Sequence, residues 1–248
     1  MEIPILYEDA DIVAVAKPVG LITHSDGRTQ EATAEEWFKE NYEEGLALPK
    51  PCGGGYVHRL DRDTSGVLVF AKNAAAYEFL RKAFHDRNVK KTYLAFVYGS
   101  LKEKKGVIDF DIGRSRKDFR LRSAQPKAKG RLREALTRYK VVGETEGYSL
   151  LKMSPETGRT HQIRVHLKAI HHPIVGDKLY SPNPPRRDGR VEAGHPAALG
   201  IIRLGLHAYQ LDLPLPSGER TLITAPIPTD LAPAFNYFPE TKEEFALQ

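Results

Sequence analysis

Residues 67–71 read Val-Leu-Val-Phe-Ala, an apolar run with no polar residue interleaved. A half-wet strand alternates apolar and polar side chains, so a run without alternation is expected of a strand covered on both faces. Thr92-Tyr93-Leu94-Ala95-Phe96-Val97-Tyr98 reads the same way. Two such strands call for a sheet with cover on both sides, and 248 residues are enough for a real core. Immediately ahead of the first run stand His58, Arg59, Asp61, Arg62, Asp63, Thr64 and Ser65, with Gly66 between them and the strand. Gly66 permits a backbone conformation, or a close approach, that a side chain forbids. Two readings of the polar cluster are open: a chemical site at the mouth of a core strand, or a solvated turn in which Asp61 and Asp63 pair with Arg59 and Arg62.

The remaining pattern predicts an α+β chain. A strand at 11–16 ends at Lys17-Pro18-Val19-Gly20. A helix follows, with Thr33 and Glu36 as a capping box and Gly45 as its stop. Residues 50–56 form a loop containing Cys52, the sole cysteine, which excludes an internal disulfide and lacks an adjacent histidine to activate it. Asn73 caps a second helix with Phe79, Leu80, Ala83 and Phe84 at helical spacing and Asn88 as its stop. Strands at 134–142 and 147–153 are separated by Gly143 to Gly147. A helix over 160–170 has Ile163, Leu167 and Ile170 on one face and His161, Arg164, Lys168 and His171 on the other. Residues 181–196, rich in Pro, Arg and Gly, read as an exposed, mobile loop. The chain ends in a hairpin, 206–213 and 221–225, around a turn at 216–219. Helices and strands alternate irregularly, so the expected architecture is a mixed, largely antiparallel central sheet with flanking helices and loops, in a single domain over 1–248.

Charge is concentrated. Arg114 to Arg133 contains nine Lys or Arg and one Asp, a local +8 in a chain of net +5, which leaves the rest at −3. Such a stripe fits a nucleic-acid phosphate contact and fits equally a solvated long loop without a partner. The N-terminus lacks a signal-peptide pattern and no stretch approaches membrane-span length, so a soluble cytoplasmic protein is expected. His161, His166, His171 and His172 lack metal-ligand spacing, and neither a phosphate-binding glycine loop nor a GxSxG elbow occurs. No metal and no cofactor are expected. What is left is a site using a carboxylate, an arginine and a tyrosine.

VHRLDRDTSG (57–66), KKTY (90–93) and TGRTHQIRVH (157–166), in this order, resemble the RluA-like pseudouridine synthases. The resemblance extends to ILYEDADIVAVAKPVG, HHPIVGDKLY and LHAYQL, and so runs from about Ile5 to Pro226. It implies the pseudouridine synthase fold and the isomerisation of chosen uridines in rRNA or tRNA. It further implies that Asp61 is the catalytic carboxylate, that Tyr93 packs against the target base, and that Arg164 pairs with the catalytic carboxylate. Arg59 would fill the space of the extruded base. Arg159 and His161, in the third motif, are assigned to RNA contact, and with the resemblance the stripe residues Arg114, Arg116, Lys117, Arg120 and Arg122 gain weight as an RNA clamp. Many members of that family carry an N-terminal S4-type RNA-binding domain, and the resemblance, starting at about Ile5, leads to the expectation of a catalytic domain alone. The loops near 111–133 and 181–196 are then expected to choose the substrate, an RNA stem-loop with a flipped uridine, for a monomeric enzyme.

The implied chemistry breaks the N1–C1′ bond, turns the base and joins C5 to C1′, with nothing oxidised or hydrolysed. Asp61 must be ionised, either to attack C1′ or to remove the C2′ proton, and an arginine partner favours that state. Two other functions remain. One is a catalytically silent RNA-binding or ribosome-assembly protein, which has no need of Asp61, Tyr93 and Arg164 together. The other is a nucleoside glycosidase, for which a second motif-linked carboxylate is lacking; Asp63 alone lies near.

Overall fold

The computed structural model describes residues 1–25, 31–43, 48, 53–116, 118, 121–124, 126–181 and 198–247. In chain order the first elements are β1 (Ile5–Glu8), β2 (Ile12–Lys17), α1 (Ala34–Asn41), β3 (Ser65–Ala71) and α2 (Ala74–His85). Then come β4 (Lys90–Tyr98), β5 (Lys105–Asp109), β6 (Ile112–Ser115), β7 (Arg122–Ala124) and β8 (Ala128–Arg133). The hairpin β9 (Leu136–Thr145) and β10 (Tyr148–Pro155) leads to α3 (Gln162–Ala169), and β11 (Leu206–Pro214) and β12 (Arg220–Thr224) follow. Short 3-10 turns cover Ala198–Gly200, Ala232–Tyr237 and Pro239–Thr241. The described chain forms two compact units, Met1–Lys91 with Ala208–Pro226, and Thr92–His207 with Ile227–Gln248.

In the first unit the strands run in the order β1-β2-β3-β11, with β12 beside β11. The pairs β1–β2, β2–β3 and β11–β12 are antiparallel. Every residue of β3 is buried, and its two faces have different cover. Val67, Val69 and Ala71 pack with Ile12 and Ala14 of β2, Ala76, Leu80 and Ala83 of α2, and Leu211, Leu213 and Ile223 of the final hairpin. On the other face Phe70 stacks on Phe38 of α1 at 4.7 Å. Absence of alternation did mean cover on both sides. Both predicted helix starts are present: Thr33 and Glu36 exchange the two capping-box bonds, and the Asn73 side chain accepts from the Ala76 amide. Helix α2 ends at His85, ahead of Asn88, and Phe79 points outward at 39% exposure, leaving Leu80 and Ala83 as the buried stripe. Gly45 and Cys52 lie outside the described residues.

The second unit contains the antiparallel order β4-β10-β9-β5. Ala95 and Val97 of β4 pack with Leu151 and Met153 of β10 and with Ile163 and Leu167 of α3. Phe96, on the opposite face, meets Phe235 and Phe238 from the C-terminal turns at 5.2 and 5.9 Å. Strand β9 runs through Gly143, which the sequence suggests as a turn residue. A Cβ there would lie 3.0 Å from Phe238, Glu240 and Thr241, so this glycine admits the C-terminal turn against the strand. The segment near 111–133, expected as a long loop with room for a short hairpin, is more ordered than that. Its described residues form a second, antiparallel three-stranded sheet in the order β7-β6-β8. Ile112 and Ala124 from this sheet, with Ala135, are buried against Val165 of α3 and Tyr180. A few apolar side chains thus seat a strongly basic segment on a helix, which gives it order that charge counting alone does not predict. The loop expected over 181–196 lies outside the described residues apart from Ser181.

Candidate active site

In the first unit, the backbone around Asp61 is held by side chains from the turn that follows β2. The Thr23 hydroxyl donates to the Leu60 carbonyl at 3.0 Å and accepts from the Leu60 amide at 3.1 Å. The Arg62 carbonyl accepts from the Gly20 amide at 2.9 Å and from Lys17 Nζ at 3.2 Å. The Asp61 carbonyl accepts from the Thr64 amide at 3.1 Å. Lys17 is 1% exposed, and its ammonium also donates to the carbonyls of Pro18 and Leu21 at 2.8 and 2.7 Å. Three carbonyls meet one ammonium, which offsets the cost of burying it. Both neighbours of Asp61 are therefore fixed, while the Asp61 residue itself keeps partial exposure.

The same segment is held at two more points, against β11 and against β3 with α2. Gly66 has φ +125°, and a Cβ on it would lie 2.1 Å from the Ala208 carbonyl oxygen, so only glycine allows that approach. His58 stacks on Phe84 at 4.8 Å, and its Nε2 accepts from the Val69 amide at 3.0 Å. That bond requires an unprotonated nitrogen. Desolvation, aided by the charge of Lys91, pushes the His58 pKa down to about 3. Lys91 is itself pushed down to about 8 by burial and then by Arg87. The alternative in which Arg62 pairs within the loop is not what forms: Arg62 meets Glu31 at 3.4 Å. Arg59 is exposed and has no ion pair among the described residues.

The second unit carries Tyr93 and Arg164. Tyr93 lies on β4, partly buried at the margin of the cluster that contains Ala95 and Val97. Arg164 is buried on α3 and donates through Nε and Nη2 to the two oxygens of Asp177, both at 2.8 Å. Asp177 is 1% exposed and also accepts from the amides of Leu179 and Tyr180 at 3.0 and 2.9 Å. The pair is bidentate and its spare acceptor capacity is used, the geometry in which a buried ion pair is tolerated. The polar face of α3 is partly covered by Tyr180. Arg164 and Lys168 lie over the Tyr180 ring at 5.0 and 5.6 Å, and the Tyr180 hydroxyl meets His161 Nδ1 at 2.8 Å and accepts from the Arg122 amide at 3.0 Å. His161 is left-handed, with φ 57°. Such backbone costs about 1–3 kcal/mol and persists where its surroundings impose it.

Gln162 organises the turn before α3. It accepts from Thr157 Oγ1 and the Arg159 amide at 2.7 and 2.9 Å, and donates to the Leu136 carbonyl and Thr137 hydroxyl at 3.0 and 2.9 Å. This places Arg159 beside the basic sheet, where Arg114, Arg122 and Arg159 line one cavity. Arg116 is exposed outside that lining, and Lys117 and Arg120 lie outside the described residues. Sequence reasoning missed Lys17, Thr23, Asp177, Tyr180 and Gln162. A lysine closing an apolar strand, and an acid in the quoted HHPIVGDKLY segment, were the available signals.

The fold and these sites define an α+β protein with a carboxylate on a tightly held loop and a separate arginine-rich surface. Residues 11–169 match the family described as RNA pseudouridylate synthase, and the chain belongs to that family. It is 39% identical to ribosomal large subunit pseudouridine synthase D of Nitrosomonas europaea, over 92% of this chain and 63% of that protein. The same-named protein of Borreliella burgdorferi is 36% identical, over 85% of this chain and 61% of that protein. The chain thus spans a little over three fifths of the length of these two relatives. Among solved structures, human RNA pseudouridylate synthase domain containing 1 aligns with TM-score 0.71 and 28% identity, covering 92% of this chain and 84% of that one. Domain containing 4 aligns with TM-score 0.72 and 26% identity, covering 94% and 92%. Among the described residues no helix is long and apolar enough to cross a membrane.

Proposed function

We propose that the protein is an RNA pseudouridine synthase in which Asp61 is the catalytic carboxylate, Tyr93 packs against the flipped uridine and Arg164 pairs with Asp61. The observation that carries this reading is the treatment of the Asp61 loop. Leu60, Asp61 and Arg62 each have a backbone group engaged, by Thr23, by Thr64, and by Gly20 with Lys17. A merely solvated turn has no need of a buried lysine and a buried threonine to hold it. A carboxylate that must meet one carbon of a ribose does need such holding. An arginine presents five donors in a rigid fork, so Arg164 can serve a second carboxylate beside Asp177. The base leaves C1′ from N1 and returns through C5, a change that is isomeric and draws on no external reactant.

Ribosomal RNA is the proposed substrate class, since the first relatives are named for the large ribosomal subunit. Flipping the uridine costs a few kcal/mol, offset by stacking and by filling the vacated space, the roles assigned to Tyr93 and Arg59. Arg114, Arg116, Arg122, Arg159 and His161 are the proposed RNA contacts, and Lys117 and Arg120 belong to the same stripe. The two units act as one monomeric, cytoplasmic catalytic domain, a reading supported by the family match running through both. The test is incubation with unmodified ribosomal RNA followed by nucleoside analysis. Pseudouridine with no change in mass is expected, and Asp61→Asn should abolish it while RNA binding persists. Release of free uracil, or turnover by Asp61→Asn, would overturn the reading.

A further inference from the structure

Five arginines, Arg114, Arg122, Arg131, Arg133 and Arg159, line a single cavity of about 520 Å³ together with Ile112, Thr160 and the glycines Gly113, Gly130 and Gly158. Among the described residues no acidic side chain is in that lining. Six arginines elsewhere are paired: Arg62 with Glu31, Arg81 with Glu78, Arg138 with Glu156, Arg164 with Asp177, Arg203 with Asp230 and Arg220 with Asp212. Among the described residues, none of the five cavity arginines has a carboxylate partner. Like charges gathered around one hollow repel one another, and an anion in the hollow removes that cost.

We infer that this cavity is a preformed site for two adjacent phosphodiester groups of the substrate RNA, an anchor that sets where the strand is held. The inference rests on the RNA-modifying reading above and adds Arg131 and Arg133 to it. Several features select phosphate over base. Among the described residues no aromatic ring lines the cavity, so they offer no ring for base stacking there. Guanidinium groups match phosphate oxygens bidentately. A Cβ built on Gly130 or Gly158 meets nothing within 4 Å, so at these points the backbone borders open space that a strand can approach. The walls are also built into regular structure. Arg114, Arg122, Arg131 and Arg133 sit on the antiparallel strands β6, β7 and β8, and Ile112 of β6 and Ala124 of β7 are buried with Val165 and Tyr180. The Arg122 amide is held by Tyr180, and Arg159 is held by Gln162 at its amide and by the Glu134 carbonyl at Nε, 2.8 Å away.

The experiment compares wild type, Arg131→Gln/Arg133→Gln, Gly158→Glu and Arg138→Gln, the last an arginine paired with Glu156 away from the cavity. RNA affinity is measured over a salt series, with pseudouridine formation in parallel. The double variant is expected to flatten the log-affinity against log-salt slope by about 0.7–0.9 for each phosphate it no longer neutralises, and to raise KM much more than it lowers kcat. Gly158→Glu, which places a carboxylate at the open rim, should weaken RNA in the same direction, and Arg138→Gln should match wild type. Circular dichroism melts confirm that each variant is folded. Tripolyphosphate is titrated as a second probe. If the double variant loses tripolyphosphate binding but keeps the wild-type RNA slope, the site is one for free polyphosphate and the RNA anchor is overturned. An active wild type whose two cavity variants both keep its slope and KM likewise overturns the anchor and leaves the isomerase reading standing. A cavity-dependent slope in a protein that forms no pseudouridine would do the reverse.

Discussion

Asp61 and Arg164 are both charged groups held in place, and they are held by different means. Around Asp61 the restraints act on backbone atoms, through a threonine hydroxyl, two amides and the ammonium of Lys17. Arg164 is held through its own side chain by the carboxylate of Asp177. Fixing the backbone sets the position of Asp61 at a modest cost spread over several hydrogen bonds. Fixing the guanidinium directly gives orientation at the risk that one substitution leaves a buried charge uncompensated.

The largest effect should therefore fall on the second unit. Asp177→Ala is expected to cost about 3–5 kcal/mol, the usual result of breaking a buried pair from one side, with Asp177→Asn milder because its amide oxygen still accepts. Urea midpoints of both variants measure this, and two midpoints equal to wild type would remove the contrast. Next comes Lys17→Met, which keeps the apolar stem but removes the ammonium from the Pro18 and Leu21 carbonyls and one of two donors from that of Arg62. A loss of about 1–3 kcal/mol is expected from unmet buried polar groups, with single-turnover rate falling more than RNA affinity. A variant as stable as wild type with an unchanged rate would show that the loop is held without it.

A pH series sharpens the comparison from the Asp61 side. His58 has a native pKa near 3 against an ordinary value of 6.5, so the unfolded chain binds the additional proton between those values. Stability from this residue is then complete above pH 6.5 and declines as pH falls toward 3, by about 1.4 kcal/mol per unit at most. At pH 5 the wild type should have lost about 2 kcal/mol through it, and His58→Gln should show a flatter acid limb in the same denaturant titrations. An identical acid limb would mean that the imidazole is not what titrates. The smallest effect is assigned to Tyr180→Phe, about 1 kcal/mol for a removed hydroxyl. Its signature is local: faster hydrogen exchange at the Arg122 amide, which loses its acceptor.

Legibility in the sequence followed the distance over which each feature is decided. The cover on both faces of β3 could be read from its own residues, and the caps at Thr33 and Asn73 are settled within three residues of the chain. Asp61, Tyr93 and Arg164 stood in motifs that can be quoted without knowing the fold. Phe79 and Gly143 show where such reading stops, because helical spacing does not say which edge of an apolar stripe meets the core, and a glycine admits a neighbour that only packing identifies. Lys17 reaches Arg62 across 45 residues and Arg164 reaches Asp177 across 13, so neither partner is encoded in a local pattern. Arg131 and Arg133 were visible as part of a basic stripe. Only the small sheet on α3 turns that stripe toward Arg159, because the few apolar residues that seat the sheet decide where its charges point.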